Sequence, residues 1–223
     1  SIAWYREMGF LPEAICNYLA LLGWSPGDDL ENITMKQLTE MFTVEKVHSS
    51  PARFDMKKLE AINGDKIRAL TLDDFLKWSL PFLTKADVIT GTDAEIELVK
   101  KALPIIQERI IMLNEVPKML KFLFTKNFAV EAESVSKITD DASKEILKRS
   151  VKELETVSDW THTNIEAVLR ASLIEEMALK PRIAFTALRI ATTGSTISPP
   201  LFESMELLGK EACLLRINAG LAL

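Results

Sequence analysis

The chain has 223 residues, 48% of them apolar and 26% charged, with a net charge of −5. That length fits one large domain or two to three small ones, and the apolar share allows a true core. The acidic balance excludes a uniformly basic nucleic-acid binder, so any such partner would have to dock on one face.

Taken in order, SIAWYREMGF opens abruptly, like the tail of something longer. Pro12 then starts a helix, PEAICNYLALLGW, with Ile15, Tyr18, Leu19 and Leu22 on one stripe and Gly23 near its end. A loop with Pro26, Gly27, Asp28 and Asp29 follows, and Thr34 is placed to cap a short helix, MKQLTEMF. Val44 to Pro51 reads as an extended connection ending in Ser-Ser-Pro. Asp55 caps a helix that Gly64 should break or bend, and Thr71 caps DDFLKWSL, which Pro81 should end. Thr92 starts the next helix, with Pro104 interrupting it, and Pro117 begins KMLKFLF, with Met119, Leu120, Leu123 and Phe124 in a core.

Asp140 or Asp141 caps ASKEILKRSVKELETV, and Thr163 with Glu166 three residues on reads as a capping box for IEAVLRASLIEEMAL. Pro181 and Pro199 sit at two further helix starts, the second with Ser198 as N-cap, and Gly194 suits a left-handed helix end. Gly209 ends LFESMELL, and Lys210 begins the last helix. No convincing two-residue alternation occurs in the first 83 residues, and about ten or eleven helices account for the chain, giving an all-α fold.

Charge is uneven along this order. Residues 1–99 carry 10 Lys and Arg against 16 Asp and Glu, whereas residues 100–223 carry 17 against 16. From Met177 to Phe202 there is no carboxylate, and the only charges are Lys180, Arg182 and Arg189. Because screening confines fields to about 8–10 Å, this positive island counts for more than the total. Its Thr192 to Thr196 turn is expected to be an exposed, hydroxyl-rich loop between two helices, with Arg189 beside it. Such a loop can hold phosphate and read base edges. An ordinary helical hairpin with a polar turn has the same pattern.

Chemistry for catalysis is missing. His48 and His162 lie far apart without further ligands at metal spacing, so no metal site is expected. There is no P-loop, GxGxxG or GxSxG, and Asp28-Asp29, Asp73-Asp74 and Asp140-Asp141 are explained as caps or helix-start charges. Cys16 and Cys213 read as buried free thiols in a reducing compartment. No apolar run approaches the roughly 18 residues of a membrane span, and the start has no signal-peptide form, so a cytoplasmic location is expected. Trp4, Trp24, Trp78 and Trp160 read as core or helix-end residues.

Three segments carry a resemblance: YREMGFLPEAICNYLALLGWSPGD, SSPARFDMKKLEAING, and KPRIAF-ALRIATTGSTISPPLFESMELLGKE. Together they resemble the carboxy-terminal half of bacterial glutamyl-tRNA synthetases, over essentially the whole chain. The family's HIGH-type and KMSKS-type signatures for ATP are absent from the sequence. The resemblance therefore implies a ligase fragment without the catalytic Rossmann domain, inactive alone, with no cofactor of its own because ATP and Mg belong to the missing domain.

It further implies a stem-contact helical domain at 1–83, followed by a two-part anticodon-binding cage at 84–127 and 128–223. Arg189, in LRIATTG, matches the family arginine that contacts the first two anticodon bases, and Ser198, Pro199 and Leu201 match the residues walling them. Arg109, in QERIIMLNEVP, matches an arginine that meets the third base in some members. Lys180 and Arg182 are expected to touch tRNA backbone. Pro200 stands where the family usually has Gly, which stiffens the expected loop. The implied partner is the glutamate-accepting tRNA, bound by a monomer at its anticodon loop and inner corner. The rival expectation is an all-α protein–protein scaffold, with the same arginines paired to acidic side chains of a partner.

Overall fold

The computed structural model describes residues 1–27, 29–49 and 51–223. Asp28, of the Asp28-Asp29 pair, and Ser50, of the Ser-Ser-Pro connection, lie outside the described residues. The chain forms two compact units, Ser1–Ala86 with Gln107–Lys118, and Asp87–Ile106 with Met119–Leu223. Among the described residues the architecture is all-α, and the only extended pairing is one antiparallel bridge between Trp24 and Val47.

In the first unit, α1 (Ile2–Met8) closes on Gly9, whose amide bonds the Tyr5 and Arg6 carbonyls at 3.1 Å each. α2 (Pro12–Gly23) starts at Pro12, which gives up no helical hydrogen bond there. Its buried stripe is Ala14, Asn17 and Tyr18, rotated from the predicted one; Leu19 is 54% exposed. The reason is Asn17, which enters the core because both ends of its amide find backbone partners. It accepts from the Ile33 amide at 2.7 Å and donates to the Glu31 carbonyl at 2.8 Å. Cys16, beside it, is half-buried rather than buried.

α3 (Met35–Met41) begins with a capping box of Thr34 and Gln37. α4 (Met56–Ala69) is capped by Asp55 and runs through Gly64 without the break that residue could have made. Gly64 answers a need for space, since a Cβ there would stand 3.0 Å from the Ile111 side chain. α5 (Leu72–Lys85), capped by Thr71, likewise continues past Pro81. Burial of Phe75, Leu76 and Leu83 along one face offsets the single backbone donor that proline removes.

α2 packs on α4, and the segment 107–118 is stitched to both ends of the unit. Asn63, with no exposed surface, accepts from the Leu11 amide (2.8 Å) and donates to the carbonyls of Ile111 (2.6 Å) and Gly9 (3.3 Å). Gln107 donates to the Ile67 and Leu70 carbonyls at 2.9 Å each. Lys66 reaches the Ile33 carbonyl at 2.6 Å; burial pushes its ammonium pKa down, with Glu13 and Asp65 opposing.

In the second unit, α6 (Asp93–Ile106) passes through Pro104 without interruption, burying Val99, Ala102, Leu103 and Ile106. α7 (Val116–Leu120), whose first three residues belong to the first unit, leads into a 3₁₀ turn at Lys121–Leu123. The buried aromatic of this stretch is Phe122, whereas Leu123 and Phe124 are only half-buried. α8 (Ala132–Val135) is a single turn, and α9 (Asp141–Glu155) is capped by Asp140, which accepts from the Ser143 amide at 2.9 Å. α10 (His162–Leu169) starts two residues before the predicted box. Its cap is Thr161, and Glu166 instead pairs with Arg170. The helix then widens into π geometry over Arg170–Glu176. α11 (Pro181–Thr193), α12 (Leu201–Leu208) and α13 (Lys210–Leu221) complete the unit. α9, α11 and α13 pack together around Leu147, Leu154, Leu188, Ala191 and Ile217, and α12 lies on α10 and α11. No helix among the described residues is long and apolar enough to cross a membrane.

The start of α6 yields one pH prediction. The Glu95 carboxylate accepts from the Thr92 amide (3.0 Å), the Thr90 hydroxyl (2.8 Å) and the Thr92 hydroxyl (2.8 Å). Led by the Thr92 amide, these bonds hold its pKa at about 2, against an ordinary 4.5. A depressed folded-state pKa stabilises above the unfolded value, and that contribution disappears as pH falls from about 4.5 toward about 2. Carboxyl-carbon NMR should place the Glu95 midpoint near 2, and Glu95→Gln should flatten the stability profile within that window. A midpoint near 4.5 would contradict it.

Candidate nucleic-acid interface

α11 turns Ala184, Ala187, Leu188, Ile190 and Ala191 into the core. Its opposite stripe runs Arg182, Thr186, Arg189, Thr193, so the two arginines stand two turns apart, about 10 Å along the axis. Arg182 is exposed, Arg189 half-buried and Thr193 buried. Lys180 occupies the N-cap and is exposed. Among the described residues neither Lys180 nor Arg182 is ion-paired.

At the other end Gly194 takes the left-handed conformation (φ 85°), as its position in the sequence suggests, and its amide bonds the Ile190 carbonyl at 2.8 Å. The turn that follows is not the exposed hydroxyl loop expected. Thr192, Thr193, Ser195 and Ser198 are all buried, and only Thr196 and Ile197 face solvent. The hydroxyls have backbone partners instead. Thr192 donates to the Leu188 carbonyl and Thr193 to that of Arg189, both at 2.7 Å, while the Ser195 oxygen accepts from the Ile197 amide at 3.2 Å. Threonines at a helix end satisfy themselves in this way more cheaply than by facing water across a crowded turn.

Arg189 is fixed by this turn. Its Nη1 donates to the Ser198 hydroxyl and to the Pro199 carbonyl, the latter at 2.8 Å, and Ser198 donates to the same carbonyl at 2.7 Å. Ser198 is therefore a rest for the guanidinium, not the helix cap predicted. α12 begins at Leu201, behind Pro200. Arg189, Ser198 and Pro199 thus form one cluster. Leu201 is 4% exposed and packs into the hydrophobic core directly after it. Arg109 is an exposed turn residue of the other compact unit. Glu115, a candidate partner for it, is occupied by the amides of Ile111 (2.8 Å) and Met112 (2.9 Å).

The half-buried Arg189 guanidinium is thus aimed by a hydroxyl and a carbonyl of the turn that follows its helix. The segment from Met177 to Phe202 that carries it contains no acidic residue.

Arg189 therefore sits, held by its own turn, in an all-helical unit and in a stretch of sequence without carboxylates. Residues 66–221 match the family model described as the anticodon binding domain, and the chain belongs to that family. Residues 1–61 match the model for the catalytic domain of class I tRNA synthetases (E and Q). The chain is 43% identical over 220 residues to a glutamate–tRNA ligase of Saccharopolyspora erythraea, covering 97% of this chain and 44% of that one. It is 45% identical over 223 residues to a glutamate–tRNA ligase of Arthrobacter sp., covering 96% and 43%. The chain thus spans less than half the length of these curated relatives. A crystal structure of a glutamate tRNA ligase from Elizabethkingia meningosepticum, in complex with its amino acid, superposes with a TM-score of 0.80 at 24% identity. It covers 98% of this chain and 42% of that one, a likeness of fold.

Proposed function

We propose that this chain is the tRNA-binding, carboxy-terminal portion of a glutamate–tRNA ligase, and that Arg189 reads anticodon bases. The observation that carries the reading is the clamped guanidinium of Arg189, inside the span matching the anticodon-binding model. Ser198 and Pro199 hold that guanidinium, Leu201 backs the loop, Arg109 meets a further base, and Lys180 and Arg182 meet phosphates. An arginine fork recognises the acceptor edge of an unstacked base, whereas exposed cations position the backbone without specifying sequence. In this reading residues 1–83 face the inner corner of the tRNA, and 84–127 and 128–223 form the two parts of the anticodon cage. ATP and Mg would be handled by the remainder of the ligase, the chain would act as a monomer in the cytoplasm, and alone it would charge no tRNA.

The test is binding of the anticodon stem-loop of glutamate-accepting tRNA at two salt concentrations. Arg189→Ala should weaken binding roughly ten- to hundredfold, the equivalent of about 1–3 kcal/mol. Arg182→Ala should lower affinity evenly across anticodon sequences and reduce the salt slope by about 1. A chain indifferent to this RNA would instead favour the protein-scaffold reading.

A further inference from the structure

Arg216 is a buried cation that the base-reading cluster does not include. Only 8% of it is exposed, it lies on the inward stripe of α13 beside Cys213 and Ile217, and no carboxylate is paired with it among the described residues. Its guanidinium donates to the Thr192 carbonyl from Nη1 and to the Phe122 carbonyl from Nη2, each at 2.8 Å. Both acceptors sit at helix ends, Thr192 in the last turn of α11 and Phe122 in the 3₁₀ turn, where carbonyls lack intrahelical partners. The C-terminal end of α11 also carries partial negative charge, so a cation is stabilised there without a counter-ion. The central carbon of the guanidinium lies over the Phe128 ring, 3.9 Å from its centroid.

The same ring and the segment after it close on the base-reading turn. A Cβ on Gly194 would be 3.2 Å from the Phe128 ring and 3.2 Å from the Ala129 carbonyl, and the Gly194 carbonyl accepts from the Glu131 amide at 2.9 Å. One guanidinium therefore joins the end of α11, the 3₁₀ turn and the wall against which Gly194 rests. Ser195 to Pro199, which hold Arg189, continue directly from that fixed point.

We propose that Arg216 is a positioning residue for anticodon reading: it locks the α11 end and the Phe128 wall together, and so sets the Ser195–Pro199 turn that aims Arg189. This rests on the RNA-binding reading above. Lysine cannot reproduce it, because an ammonium lacks the planar two-armed fork that spans both carbonyls and stacks on the ring.

The experiment compares the 223-residue chain with Arg216→Lys and, should that variant fold poorly, Phe128→Leu. Two quantities are measured: amide hydrogen exchange along the chain, and the ratio of affinities for stem-loops with the matching anticodon and with its bases replaced. In either variant, exchange at Gly194, Ile197 and Glu131, whose amides are hydrogen-bonded at this turn, should rise about tenfold while the α9 amides stay protected. The affinity ratio should fall severalfold, leaving the base-independent, salt-sensitive binding unchanged. Unchanged loop exchange, or a rise shared equally by α9, would overturn the positioning role. If the unaltered chain binds no RNA, the functional reading fails, and the exchange pattern alone decides whether Arg216 sets the turn.

Discussion

Gly9→Ala is expected to destabilise the first compact unit by at least about 3 kcal/mol, combining left-handed backbone strain with a core clash. Gly9 has φ 91°, a region in which side chains are strained, and its surroundings leave no room for one. A Cβ would stand 2.5 Å from the Leu113 amide nitrogen, 2.6 Å from that of Asn114 and 2.8 Å from the Leu113 Cα. All three are backbone atoms, so no rotamer change relieves the overlap. Moving the 113–114 backbone away would also break the Leu113 amide bond to the Gly9 carbonyl, now 3.1 Å. Denaturant unfolding followed by circular dichroism measures the loss. A shift below about 1 kcal/mol would show that the segment yields easily and that the packing argument is wrong.

Asn63→Leu is expected to cost a comparable amount, about 3–5 kcal/mol, although leucine has the same branched heavy-atom skeleton as asparagine. The substitution keeps the space filled but strands three buried main-chain groups, the Leu11 amide and the Gly9 and Ile111 carbonyls. Each orphaned group carries a desolvation penalty of about 1–3 kcal/mol. Because Asn63 and Gly9 share the Gly9 carbonyl, the double variant should lose less than the two single losses combined. Additive losses would mean that the two residues act independently. Neither change touches the turn that holds Arg189, which lies in the other unit.

Most helix starts were legible because a cap is local chemistry. Thr34, Asp55, Thr71, Asp140, Pro12 and Pro181 do what their sequence neighbourhoods suggest. Helix interiors misled at Pro81, Pro104 and Gly64, where burial of one face outweighs a local weakness. The threonine and serine run at 192–198 reads as solvent-loving, yet its hydroxyls turn inward, since their partners are carbonyls that no composition count reveals. Arg189 stood out because an acid-free window is visible in one dimension. Arg216 did not, because its three partners come from residues 122, 128 and 192, joined only by folding. Its one sequence signal is its place among the apolar residues of EACLLRINA.

Ser198 and Pro199 grip the Arg189 side chain through contacts internal to the fold. In the proposed role, a receptor whose key group is immobilised within its own fold gives up little rotational freedom when its ligand arrives, so that entropic penalty is met during folding instead. Changes that loosen this turn would accordingly show up first as faster dissociation from a partner, while the melting temperature of the free chain barely moves.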